Sequence, residues 1–270
     1  MEKLQLLSMH FLFSINFLFA QLPENTAMQT DTSDWKSIRD RIKDETFWIK
    51  FSPSAQHYFN RGRYKGTIQE YKGALEDLNK ATELSPKEFA PYYSRGSVKE
   101  RIEDLKGAKE DFTKVIELNP DFEWGWNDRG LINIKLEKYD DAEKDFNSAL
   151  KLKPSWAFPV FNLGLLYDSK KDFNKAIEYY SKSIRMDSTN YMSYNNIGYI
   201  HFQLKNFDMA ISYYTQAIKV FPKYYNAFRN RADAKIAKGD KEGACQDLKT
   251  AADLGDAKAF KFLNELCVKK

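Results

Sequence analysis

Small residues recur in this chain at one fixed interval. Gly62, Gly96, Gly130, Gly164 and Gly198 stand 34 residues apart, and Ala232 takes the next place in the series. Ala74, Ala108, Ala142, Ala176, Ala210 and Ala244 keep the same interval without a break. Pro86, Pro120, Pro154 and Pro222 share it too, with Ser188 and Asp256 in the two remaining slots. A period of this size restricts a chain to stacked supersecondary units, because each unit must bury its open face on the next. Six tandem units follow, at 55–88, 89–122, 123–156, 157–190, 191–224 and 225–258.

The residue types inside a unit specify two helices. Each small residue has a larger one four places away, which is one helical turn. Tyr58, Tyr92, Trp126, Val160, Tyr194 and Phe228 precede the Gly or its Ala substitute, and Leu78, Phe112, Phe146, Tyr180, Tyr214 and Leu248 follow the Ala. Gly at the eighth position lets the first helix of a hairpin approach the Ala at the twentieth, and the larger side chains fill the space beside that contact. Proline at the end of the unit stops the second helix, since it lacks an N–H and clashes with the preceding turn. In these features the chain resembles the tetratricopeptide repeat (TPR) family over all of 55–258, with mild departures at Ser188, Ala232 and Asp256. The expected fold is all-α: an α-solenoid of helix-turn-helix repeats with a C-terminal capping helix.

The flanks carry other signals. Lys3 precedes an apolar stretch ending at Ala20, the pattern of a secretory signal peptide over 1–20. Gln5, Ser8, His10, Ser14 and Asn16 interrupt it, whereas a spanning helix needs about 20 mainly apolar residues. The chain is therefore expected to be exported, periplasmic or secreted, with membrane contact only through this segment if it is uncleaved. Residues 21–54 read as a linker followed by a cap on the first repeat. Ser33 or Asp34 can start a helix bearing Trp35, Ile38 and Ile42, and Phe47, Trp48, Ile49 and Phe51 follow either as part of that cap or as a strand-like segment in a groove. At the other end, Ala259, Phe262, Leu263, Leu266 and Cys267 form one apolar stripe, so 257–270 reads as a capping helix.

Composition excludes several functions. The 42 Lys and Arg face 38 Asp and Glu, a near balance without the concentrated basic face that nucleic acid requires. With 43% hydrophobic residues the chain has enough apolar surface to fold. His10, His57 and His201 are dispersed, and the two cysteines form no Cys-x-x-Cys. No phosphate loop, Gly-x-Ser-x-Gly elbow or His-Glu-x-x-His is present. The chain is expected to be no enzyme, with no metal, no cofactor and no small-molecule substrate.

Two sets of residues call for structural partners. Arg61, Arg95, Arg129 and Arg231 occupy the seventh position of four units, and Asp77, Asp111, Asp145 and Asp247 the twenty-third of the same four. Leu163 with Tyr179 and Ile197 with Tyr213 replace both at once in the other two. An Arg–Asp contact across each hairpin is predicted, worth about 0–1 kcal/mol if partly exposed. Cys245 and Cys267 lie at similar distances either side of the reversal near Gly255. They are either a disulfide, which export favours, or two small buried hydrophobes.

The resemblance implies a scaffold that binds a protein or peptide along a groove lined by the first helices. It places the second, fifth, sixth, ninth and twelfth positions there. The sixth holds Asn60, Ser94, Asp128, Asn162, Asn196 and Asn230. In repeats three to five the second and ninth are apolar: Trp124 and Leu131, Phe158 and Leu165, Met192 and Tyr199. With Phe161 and Phe202 they make an expected exposed apolar patch for an extended peptide anchored by Trp124 and Phe158. The alternative is a structural subunit of a cell-envelope assembly, held by its convex face or ends.

Overall fold

The computed structural model describes residues 32–267. The expected signal segment, the linker up to residue 31 and the last three residues lie outside that range. Among the described residues there are fourteen helices and no strand. They form two compact units divided between Leu152 and Lys153, within repeat three.

The first unit contains α1 (Thr32–Phe51), α2 (Ala55–Thr67), α3 (Tyr71–Leu84), α4 (Phe89–Arg101), α5 (Leu105–Leu118), α6 (Glu123–Lys135) and α7 (Tyr139–Leu152), each packed on the next. The second contains α8 (Ala157–Ser169), α9 (Phe173–Met186), α10 (Tyr191–Gln203), α11 (Phe207–Val220), α12 (Tyr225–Lys238), α13 (Lys241–Asp253) and α14 (Ala257–Leu266), packed in the same sequential way. Each repeat is therefore a hairpin of two helices.

The six periodic alanines are fully buried. Four of the five periodic glycines owe their place to a ring more than to the alanine, and Gly62 owes its place to Leu78. A Cβ on Gly164 would sit 2.5 Å from the Tyr180 ring, and one on Gly130 2.6 Å from Phe146. The residue at the twenty-fourth position thus fills the close approach itself rather than the space beside it.

Every hairpin turns through a left-handed residue at its fifteenth position: Gln69, Glu103, Glu137, Lys171, Lys205 and Gly239. In the first repeat the Gln69 N–H donates to the Gly66 carbonyl and the Glu70 N–H to the Lys65 carbonyl, a Schellman arrangement that the other repeats share. Asp104, Asp172 and Asp240 then cap the following helices by accepting from backbone N–H groups.

Both ends are closed by chemistry specific to them. The segment 32–51 is helical throughout, so the strand-like alternative for 47–51 is not the observed one. The α1 helix docks on α2, where Glu45 accepts from Asn60 Nδ2 at 2.9 Å and bonds His57 Nδ1 at 2.7 Å. At the other end Cys245 and Cys267 are joined in a disulfide, with Cα atoms 5.8 Å apart. Asp256, in the slot that proline fills elsewhere, caps α14 and pairs with Arg229.

Candidate functional site

The Arg and Asp residues of four hairpins meet. Arg61 Nε and Nη2 donate to the two oxygens of Asp77 at 2.8 and 2.6 Å. The same forked pair joins Arg95 to Asp111, Arg129 to Asp145 and Arg231 to Asp247, at 2.6–3.0 Å. The carboxylates are buried, which removes these pairs from the weak regime expected of exposed ones. Lys65, Lys99 and Lys235, at the eleventh position, each add a second cation at 2.8 Å. In repeat three that position is Asn133, whose amide donates to Asp145. Burial pushes the Asp145 carboxyl above its ordinary range despite Arg129 and Asn133.

In repeats four and five stacked rings replace this triad. Tyr167 lies against Tyr179 with centroids 5.3 Å apart, and His201 against Tyr213 at 5.5 Å. The eleventh position is thus the third member of the co-varying set. Its signal, Lys65, Lys99 and Lys235 in register, is present in the sequence.

The first-helix face differs from the expected one. In the first unit Trp124 and Leu131 are half-buried. In the second unit Phe158 is 43% exposed, and Tyr199 and Phe202 are half-buried. Phe161, Leu165 and Met192 are buried, with Phe161 packed on Tyr180 at 5.5 Å. These three belong to the packing rather than to an exposed patch. Apart from Asn162 and Asp168 the α8 helix is apolar around its circumference, and all its residues from Pro159 to Asp168 are buried.

Polar residues on this face form rungs between successive first helices. In the first unit Tyr93 donates to Asp128 at 2.6 Å and Asn127 Nδ2 adds a bond at 3.0 Å. Burial still pushes the Asp128 carboxyl up to about 6. Lys135 pairs with Glu100 at 2.6 Å. In the second unit Asn230 donates to Asn195 at 2.9 Å. Asn162 and Asn196 of the sixth-position ladder are likewise buried.

Two family models, both described as tetratricopeptide repeat, match residues 124–155, 161–190 and 191–224, and residues 55–88 and 90–122. The chain belongs to the tetratricopeptide repeat family. Its sixth TPR hairpin, α12 with α13, lies beyond the matched residues but carries the same Arg231–Asp247 fork. No curated protein sequence matches the chain.

Solved structures share the TPR fold at low identity. A tetratricopeptide repeat protein from Parabacteroides merdae is 19% identical with a TM-score of 0.73, over 87% of this chain and 94% of that one. The Cut9–Hcn1 hetero-tetramer of the APC/C gives 15% and 0.67, over 88% of this chain and 47% of that one. PilF of Pseudomonas aeruginosa gives 19% and 0.61, over 78% and 97%. Among the described residues no helix is long and apolar enough to cross a membrane, and no cluster of His, Cys, Asp and Glu is suited to a metal.

Proposed function

We propose that this TPR protein is a non-enzymatic scaffold that holds an extended peptide segment of a protein partner against its first helices. The TPR fold supports protein–protein interaction in general, and its members generally lack catalysis. In the second unit the contact surface is the face of α8 and α10 carrying Phe158, Tyr199 and Phe202. In the first unit Trp124 and Leu131 on α6 offer the same kind of contact. The observation that carries this reading is Phe158, a large aromatic left 43% exposed on an otherwise buried helix. Aromatic anchors of this kind cost about 2 kcal/mol or more when truncated. Phe158→Ala and Trp124→Ala, separately and together, should weaken crosslinks to the partner in the exported fraction. Unchanged crosslinking by the folded double variant would exclude the groove.

Export is part of the proposal, supported by the Cys245–Cys267 disulfide, which suits an oxidising compartment. Two free thiols in non-reducing mass spectrometry of exported protein would count against it. A second reading, a subunit of an envelope assembly held by its ends, is favoured by Phe47, Trp48 and Phe51 on α1, each about half exposed or more. Under that reading, substitution of these three would abolish assembly while Phe158→Ala would not.

A further inference from the structure

Two polar rungs on the first-helix face of the second unit are broken, and both breaks fall between repeats four and five. A rung joins the fifth position of one repeat to the sixth of the next, as Tyr93 joins Asp128 and Asn195 joins Asn230. At this step the fifth position is Phe161, which cannot accept, and the buried Asn196 Nδ2 group lacks the rung and lies toward the Tyr180 hydroxyl instead. A second rung joins the twelfth position to the thirteenth of the next repeat, as Glu100 joins Lys135. Here the pair is Asp168 and Gln203. Both Asp168 oxygens and the Gln203 Nε2 group have no protein partner, and Asp168 is only 1% exposed. A buried carboxylate without a donor is costly, and native proteins rarely leave one.

The surroundings fit a cation. Phe161 and Leu165 on the same helix are buried and apolar, and low polarity strengthens the attraction between opposite charges. Lys171 acts on Asp168 through its field alone, and burial pushes the Asp168 carboxyl up to about 6. Burial and then the Asp168 charge raise the Tyr180 hydroxyl well above its ordinary range, and the same two causes raise that of half-buried Tyr199. The field of the carboxylate thus reaches Tyr199, which is half-buried on this face.

We propose that Asp168 and Gln203 form a subsite for a lysine or arginine side chain of an extended peptide, with Asp168 holding the cation. This rests on the reading that the α8 and α10 face binds peptide, and it names the chemistry of the segment bound. A displayed library of random dodecapeptides with acetylated N-termini, selected on the full chain, tests both. Enriched peptides should place a Lys or Arg among apolar residues, and replacing that residue by Gln should weaken binding about ten-fold.

Asp168→Asn should reduce the Lys-to-Gln preference to about two-fold or less. Gln203→Lys should do the same by supplying an internal cation in the register of Lys135, which keeps the test decisive if Asp168→Asn fails to fold. Enriched peptides that bind equally well with Gln would overturn the subsite and leave the peptide-binding face standing. A library that yields no enriched peptide would overturn both.

Discussion

Repeats one and two of the first unit and repeats four and five of the second solve one packing problem with different chemistry. Repeats one and two place an Arg, an Asp and a Lys together across the hairpin, and the buried charge there is fully partnered. Repeats four and five put rings at the corresponding positions, Tyr167 on Tyr179 and His201 on Tyr213. Between successive first helices the contrast recurs. Glu100 has Lys135, whereas Asp168 faces a register position held by Gln203 and pairs with nothing in the protein. Architecture alone therefore does not require the charges. Where repeats one and two partner their buried charges internally, repeats four and five replace them with apolar contact and leave a buried carboxylate without a partner in the protein.

The largest expected effect comes from breaking a triad. Arg95→Ala would leave Asp111 with Lys99 alone and remove the bonds that Arg95 makes to Asn79 and Thr82. Removing one partner of a buried pair costs about 3–5 kcal/mol. The matching change in the second unit, Tyr179→Leu, removes a stacked ring pair worth about 1 kcal/mol beyond its area. Urea denaturation of the two variants measures the difference. Equal losses would mean that the charged and stacked solutions are energetically interchangeable.

A reciprocal swap sharpens the comparison at intermediate size. Gln203→Lys copies the first unit's rung into the second, and Lys135→Gln does the reverse. The first should stabilise and the second destabilise, each by about 1–2 kcal/mol, as expected of a partly buried charge-assisted bond. The pH dependence follows from Asp168, whose folded carboxyl is raised from 3.8 to about 6. The native state then holds its proton more tightly than the unfolded chain. Stability from this group is present below about pH 4 and is lost as pH rises to about 6. Asp128, also raised to about 6, contributes the same sign in the first unit. Gln203→Lys should flatten only the Asp168 share, seen as a smaller fall in melting temperature between pH 4 and pH 7. An unchanged slope would mean that the new ammonium does not reach Asp168.

Much of this was legible in the sequence, for a physical reason. Gly164 and Ala176 are dictated by contacts inside one hairpin, and so are Arg95 and Asp111; a contact repeated in four or more hairpins leaves a periodic mark. The burial of Phe161, Leu165 and Met192 was not legible. It depends on what packs over α8, and a helix with apolar residues all around its circumference gives no stripe from which to read a covered face. Asp168 gives no signal in the sequence, because its significance lies in a missing partner. That is visible only when Glu100 and Lys135 show what a complete rung contains.

The smallest expected effect separates backbone strain from side-chain chemistry in the hairpin turns. Gln69 in the first unit and Gly239 in the second occupy the same left-handed place, with φ of 64° and 89°. For an L-residue that conformation costs about 1–2 kcal/mol. A Cβ on Gly239 would meet nothing within 4 Å, so Gly239→Ala tests the backbone term without a clash. It should destabilise by about 1 kcal/mol. Gln69→Gly relieves the strain but gives the unfolded chain more freedom, which offsets about 0.5–1 kcal/mol. Its net gain should be about 0.5 kcal/mol. Opposite signs in thermal melts of the two variants are the expected result. Destabilisation by Gln69→Gly would show that the Gln69 side chain holds its turn by a contact stronger than the strain.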